Sequence, residues 1–330
     1  MRHLGSEKYR PQGNLAFTFR VGPPERQTAI CLNSRNSKQP LRLSVSQYRS
    51  NHWTMTTALM PSWLEVTNEH LHAVVHSGTG PVALFVHGAL GSRSYWNDNL
   101  AALQQVCQPV VVELWGHGRS PSPDDPTRYE PSGYVDEFER IRQELGAPNI
   151  WLIGQSMGAA LVMHYAVALP HRVAGMIITN SASGFADPIE WQERNRTMVS
   201  KIADQVDEEG VECLRDSWIN PGRSKRISAT TLSFLDEEFS EHSARGISLS
   251  FRITNFALPL GDSLKEVSAP VLFTNGIEEQ RFQKHLPRVK LIPQVEVVEL
   301  PASHAVNAHD PKGWNKAAAD FISKHANPGV

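Results

Sequence analysis

The stretch from Ile150 to Ala166, IWLIGQSMGAALVMHYA, narrows the possible folds more than any other part of the chain. An apolar run of strand length turns at Gly154-Gln155-Ser156-Met157-Gly158 and resumes as an apolar helix. A strand without polar alternation that passes within five residues into a helix belongs in a parallel sheet covered by helices on both faces. The flanking glycines remove side chains where strand and helix come closest. The serine between them occupies the centre of the G-x-S-x-G pattern, a sharp turn that exposes its hydroxyl in a strained conformation. The helix N-terminus adds a favourable dipole at that hydroxyl. Ser156 is therefore a candidate nucleophile, the alternative being a small polar residue in an ordinary turn.

The same alternation runs through much of the chain. HLHAVVHSG, PVALFVHG, QPVVVELWG, IWLIG, VAGMIITNS, APVLFTNG and VEVVEL read as strands. YWNDNLAALQQ, SGYVDEFERIRQELG, MGAALVMHYAVALP, RFQKHLPRVKLI and residues 311 to 325 read as the helices between and after them. Between residues 184 and 262 the pattern is helical and rich in charge, with no convincing strand. The expected organisation is an α/β core over 55–183 and 263–330, a helical insertion over 184–262, and an N-terminal extension over 1–54. That extension carries seven Arg, two Lys and six Ser against only Glu7 and Glu25, without sustained periodicity. It is open between a transit peptide, an unstructured tail, and sequence upstream of a start at Met55.

A nucleophilic serine needs a base, an acid to orient the base, and two donors for the developing oxyanion. The base is expected after the last strand. There ELPASHAVNAHDP offers His304, four residues beyond Leu300, and His309, which reads as part of the junction into the final helix behind Asp310-Pro311. The acid is expected after APVLFTN, where Gly276-Ile277-Glu278-Glu279 lies, and Glu279 is the candidate. Glu278 is the adjacent alternative, and Asp187, one strand earlier, is another. The oxyanion donors are the amides of Met157 and of Ala89, the latter in the turn His87-Gly88-Ala89-Leu90-Gly91. His87 ends a strand and reads as a loop-ordering residue.

His70, His72 and His76 are spaced as a metal set could be, but no neighbouring carboxylate or cysteine completes it, so an edge strand is expected there. Trp115-Gly116-His117-Gly118-Arg119-Ser120 lacks the order of a phosphate cradle. A net charge of −2 gives no reason to expect nucleic acid, and no apolar run reaches the length of a membrane span. Three widely spaced cysteines, Cys31, Cys107 and Cys213, fit neither a disulfide framework nor a zinc site, so a reducing, cytoplasmic setting is expected.

With Ser156, His304, the turn at 87–91 and the run LWGHGRSPSP in this order, residues 64 to 326 resemble the α/β-hydrolase fold family. The resemblance implies a mostly parallel central sheet flanked by helices, with residues 184–262 forming a helical cap over the active site. A narrower similarity, to the 3-oxoadipate enol-lactonases, rests on GQSMG, TNSASGFADPIEWQER, SWINPGR and PASHAVN. It places Asn180, Ala182, Trp191 and Arg194 in that family's Asn-x-Ala, Trp and Arg pattern, with Trp218 and Pro221 further on. Two departures stand out: the turn at 87–91 is of the general His-Gly type, and Glu replaces Asp as the acid. The implied activity is a serine hydrolase acting on a small ester or lactone, with Trp191 and Arg194 meeting substrate and no metal or organic cofactor. The same scaffold also serves C–C bond hydrolases, haloperoxidase-like enzymes and lyases, and a ligand-binding receptor that turns over slowly is an alternative of another class. The oligomeric state is left open.

Overall fold

A computed structural model describes residues 62–63 and 69–326, so the extension expected over 1–54 lies outside the described residues. Eight strands form one sheet: β1 (Ser62–Trp63), β2 (Ala73–Val75), β3 (Val82–Val86), β4 (Gln108–Val112), β5 (Ile150–Gly154), β6 (Val173–Thr179), β7 (Val271–Gly276) and β8 (Val295–Leu300). Their order is β1-β2-β4-β3-β5-β6-β7-β8. The β1·β2 and β2·β4 pairs are antiparallel, and every pairing from β4 to β8 is parallel.

Side chains alternate across each strand, and from β3 to β7 both faces are largely buried, whereas β8 at the edge is only partly buried. On one face Leu84, Val86, Val112, Leu152, Ile178 and Phe273 pack against Tyr134, Phe138 and Ile141 of α2 (Pro131–Glu144) and Leu161 and Tyr165 of α3 (Met157–Ala168). The residues between them, including Phe85, Val111, Trp151, Ile153 and Ile177, pack on the other. They meet Leu100 and Leu103 of α1 (Asn97–Leu103) and Trp314, Phe321 and Ile322 of the last helix, Pro311–Ala326. Burial on two faces explains why β3 to β7 read as nearly continuous apolar runs.

The region between β6 and β7 has no strand among the described residues and is built of helices joined by turns. It holds α4 (Pro188–Glu209), α5 (Ala229–Phe239) and α6 (Ala244–Leu249), followed by a π-helical turn over Ser250–Asn255. Val199, Ala203 and Val206 of α4 join Phe239, Ile247 and Phe251 in a separate apolar cluster that also takes in Leu90. Leu90 stands in the turn after β3, so the insertion is anchored directly on the sheet's C-terminal edge.

Two sequence expectations are corrected. The run RFQKHLPRVKLI is not one helix but two single turns, α7 (Gln280–Gln283) and α8 (Leu286–Val289); Pro287 sits in the first turn of α8, where it is tolerated, whereas in one continuous helix its ring would clash with the turn before it. Nor is the histidine-bearing segment an edge strand, because β1 pairs outside β2. A last one-turn helix, α9 (Val306–His309), precedes the final helix, α10 (Pro311–Ala326).

Candidate active site

Ligand sites of open α/β sheets lie beyond the carboxyl ends of the strands. Here the ends of β3, β5, β6, β7 and β8 deliver His87–Gly91, Ser156, Asn180, Glu279 and His304 to one edge.

Ser156 is one of two non-glycine residues with positive φ among those described (φ 54°, ψ −115°), the other being Leu90. Such a backbone costs on the order of 1–3 kcal/mol and persists only where the surroundings enforce it. The flanking glycines supply the enforcement. A Cβ on Gly154 would stand 2.7 Å from Ala159 Cα, and one on Gly158 would stand 2.2 Å from Val86 O. With both side chains absent, α3 closes onto β3 and β5 and the turn has no room to relax.

The Ser156 hydroxyl lies 2.8 Å from His304 Nε2, and His304 Nδ1 lies 3.0 Å from Glu279 Oε1. Nδ1–H donates to the carboxylate, which leaves Nε2 free to accept from the serine. The His304 side chain is 45% exposed and that of Glu279 only 16%, so the imidazole faces outward and the carboxylate sits behind it. Gln155 ties the elbow to the base by donating from Nε2 to His304 O at 3.3 Å. A hydroxyl held on an imidazole whose far nitrogen meets a carboxylate is the arrangement needed to activate an oxygen nucleophile by general-base catalysis.

The competing carboxylates are elsewhere. Asp187 caps α4, its Oδ1 accepting from the amides of Ile189 (3.0 Å) and Glu190 (3.2 Å). Glu278 is ion-paired with Arg226 of the insertion, whose other arm reaches Pro301 O at 2.5 Å. His309 is a neutral fastener, accepting from Ser303 N at Nδ1 (3.3 Å) and meeting Ser224 Oγ at Nε2 (2.9 Å). Burial, with the charges of Arg226 and His304, pulls its pKa down to about 4.

The amide of Met157, first residue of α3, and that of Ala89, in the turn after β3, make no hydrogen bond among the described residues. His87 shapes this turn. Its Nδ1–H donates to Gly88 O at 2.7 Å and its Nε2 accepts from Leu114 N at 3.2 Å, while burial holds its pKa below the usual histidine range. A second buried histidine, His242 of the insertion, accepts from Gly118 N (2.9 Å) and donates to Leu90 O (3.3 Å). The expectation that His87 orders a loop matches its bonding.

The two expected substrate contacts are on α4. Trp191 donates its indole N–H to Asn255 O at 3.0 Å, inside the insertion, and Arg194 is exposed. Neither is hydrogen-bonded to Ser156, His304 or Glu279. Among the described residues no group of three or more His, Cys, Asp or Glu side chains is placed to hold a metal. His72 instead meets Glu113 Oε2 at 2.7 Å and His70 meets Glu137 Oε1 at 3.0 Å. These carboxylates are 41 and 67 residues away in the chain, beyond the reach of a local pattern.

The residue whose part sequence reasoning missed is Asn180, which is fully buried and bonded to Glu279. The available signal was its place as the first polar side chain past an apolar strand at the edge where Ser156 emerges. No described helix is long and apolar enough to cross a membrane.

A family model described as the alpha/beta hydrolase fold matches residues 81–243. The chain is 25% identical to 3-oxoadipate enol-lactonase 2 of Acinetobacter baylyi over 73% of its length and 89% of that protein's. To 2-(acetamidomethylene)succinate hydrolase of Mesorhizobium japonicum it is 25% identical, over 76% and 90% respectively. A match to the Arabidopsis thaliana protein PHYLLO, chloroplastic, 26% identical, takes in 48% of this chain and only 9% of that much longer protein. Among solved structures, that of MenH from S. aureus superposes with a TM-score of 0.68 over 78% of this chain and 99% of its own, at 18% identity.

Proposed function

We propose that this chain, which belongs to the α/β-hydrolase fold family, is a serine hydrolase that cleaves a small ester or lactone through an acyl-enzyme. The observation that carries the reading is the unbroken line from Ser156 Oγ to His304 Nε2 (2.8 Å) and from His304 Nδ1 to Glu279 Oε1 (3.0 Å). The similarity to an enol-lactonase over most of both chains supports the choice of ester or lactone.

In this mechanism Ser156 Oγ attacks the carbonyl carbon as its proton passes to His304 Nε2. Glu279 stabilises the imidazolium that results. The carbonyl oxygen becomes an oxyanion held by the amides of Met157 and Ala89, each donor contributing on the order of 10²- to 10³-fold in rate. Collapse re-forms the carbonyl double bond and breaks the bond from that carbon to the leaving oxygen, and His304 returns the proton to the departing oxygen. Water, deprotonated by His304, then releases the acyl group from Ser156. The helical insertion acts as the cap over this edge, and Trp191 and Arg194 on its first helix contribute to the face that meets substrate.

The test is covalent labelling by a fluorophosphonate together with hydrolysis of a short-chain aryl ester. Wild type labels at one site and turns over, whereas Ser156→Ala and His304→Ala do neither while remaining folded. Activity surviving in Ser156→Ala would refute the proposal.

A further inference from the structure

Asn180 lies at the end of β6 with no exposed surface, where its side-chain amide continues the β6–β7 ladder one step past Thr179 and Thr274. Its Oδ1 accepts from Gly276 N at 3.1 Å, and its Nδ2 donates to Gly276 O at 3.2 Å and to Glu279 Oε2 at 2.8 Å. The side chain thus behaves as an extra peptide group, fixing the residue from which the loop to Glu279 departs. Gly276 is also where that loop meets the one bearing His304, since a Cβ there would stand 2.4 Å from Ser303 O. Gln283 Nε2 secures the same corner through Gly276 O and Glu279 O, both at 3.1 Å.

The orientation of the Asn180 amide is not free. A backbone N–H can only donate, so Gly276 N requires oxygen at Oδ1, and the group facing Glu279 must then be the NH₂. An NH₂ can only donate, so it favours an acceptor opposite it and holds Oε2 in place. Oε1 is thereby left pointing at His304 Nδ1.

We propose that Asn180 is the positioning residue for the acid: through a donor polarity dictated by Gly276 N–H, it presents Glu279 to His304 as a pure acceptor and so keeps the proton on Nδ1. This rests on the serine-hydrolase reading above. It also accounts for how a glutamate, one methylene longer than aspartate, is confined in this place, because both of its oxygens have assigned partners.

The decisive variants are Glu279→Gln and Glu279→Ala, both with Asn180 intact. In Glu279→Gln, the Asn180 NH₂ draws the new carbonyl oxygen to itself and turns the new NH₂ toward His304 Nδ1. That nitrogen must then accept, the ring proton moves to Nε2, and the base can no longer take the proton of Ser156; a comparable tautomer reversal elsewhere costs about 10⁴-fold in kcat. Glu279→Ala leaves the ring free to choose. Fluorophosphonate labelling should therefore be at least about 10-fold slower in Glu279→Gln than in Glu279→Ala, despite the smaller structural change. Asn180→Ala should slow wild type by about 10- to 100-fold, the scale of a lost hydrogen bond to a charged group, with little change in KM. It should have almost no effect in the Glu279→Ala background, where a merely structural role would cost the same as before. Equal rates for Glu279→Gln and Glu279→Ala would overturn the proposal, as would an undiminished effect of Asn180→Ala without Glu279. Neither result touches the parent reading, which fails on Ser156→Ala and His304→Ala instead.

Discussion

The carbonyl oxygen of Val86 stands only 2.2 Å from the point where Gly158 would carry a Cβ, so a single methyl group separates this elbow from one that cannot close. Gly158→Ala should push α3 away from β3 and move the Ser156 hydroxyl off His304. The expected result is a stability loss of about 1–3 kcal/mol, the usual scale of an overpacked contact. Esterase activity should fall by at least about 100-fold, since small misplacements of reacting groups are that costly. Urea unfolding and aryl-ester kinetics on the same preparation separate the two effects.

Asp187 and Glu279 should part company when each is removed. Asp187→Ala takes away two hydrogen bonds at the start of α4 and should cost about 1 kcal/mol in stability. Its fluorophosphonate labelling rate should match wild type. A labelling defect as large as that of Glu279→Ala would move the acid to Asp187.

Glu113 is buried yet accepts from the Arg93 amide and guanidinium (both 3.1 Å), from the Arg119 amide (3.1 Å) and from the His72 ring (2.7 Å). Although burial works against the charge, these partners hold its pKa at about 2. Glu113→Ala leaves several donors without their acceptor in a dry place and should destabilise by about 3–5 kcal/mol. Thermal unfolding would register this as one of the largest single-residue effects in the core.

Acid should unfold the protein in two stages. Burial lowers His242 to about 4 in the fold against 6.5 when exposed, so between pH 6.5 and 4 the unfolded chain binds the extra proton and stability declines as pH falls. Glu113, at about 2 against 4.5, contributes stability that is present above pH 4.5 and is lost on descending toward 2. Each such proton steepens the decline by about 1.4 kcal/mol per pH unit at most. His242→Gln should make the first stage shallower, leaving the part due to His309, whose pKa is likewise about 4, and should leave the second unchanged, as urea titrations at stepped pH would reveal.

How much of this was legible in the sequence depended on the distance over which each feature acts. The elbow, most of the alternating strands and helices, and the position of His304 in the loop after β8 are local patterns that periodicity and turn chemistry place. The helix expected over 281–292 failed at Pro287 because apolar spacing outvoted a residue that cannot continue a helix. Between α5 and α6 the apolar pattern likewise runs on, while Ser243 caps a new start by accepting from Gly246 N. The pairings of His72 with Glu113 and of Asn180 with Glu279 join residues 41 and 99 apart, and no window along the chain contains both members. Glu279 itself was reachable only as one of three carboxylates, since choosing among them required knowing which loop leans toward His304.

The bonds from Ser224 to His309 and from Arg226 to Glu278 and Pro301 O fasten the insertion to the very loops that carry His304 and Glu279. On the serine-hydrolase function proposed above, specificity and chemistry are therefore not independently exchangeable modules. A chimera that swapped the stretch between β6 and β7 for a foreign one would inherit new walls around the substrate but forfeit two handholds on the catalytic loops. Any transplant of that stretch that is to leave the two loops in place would need to carry the Ser224 and Arg226 contacts with it.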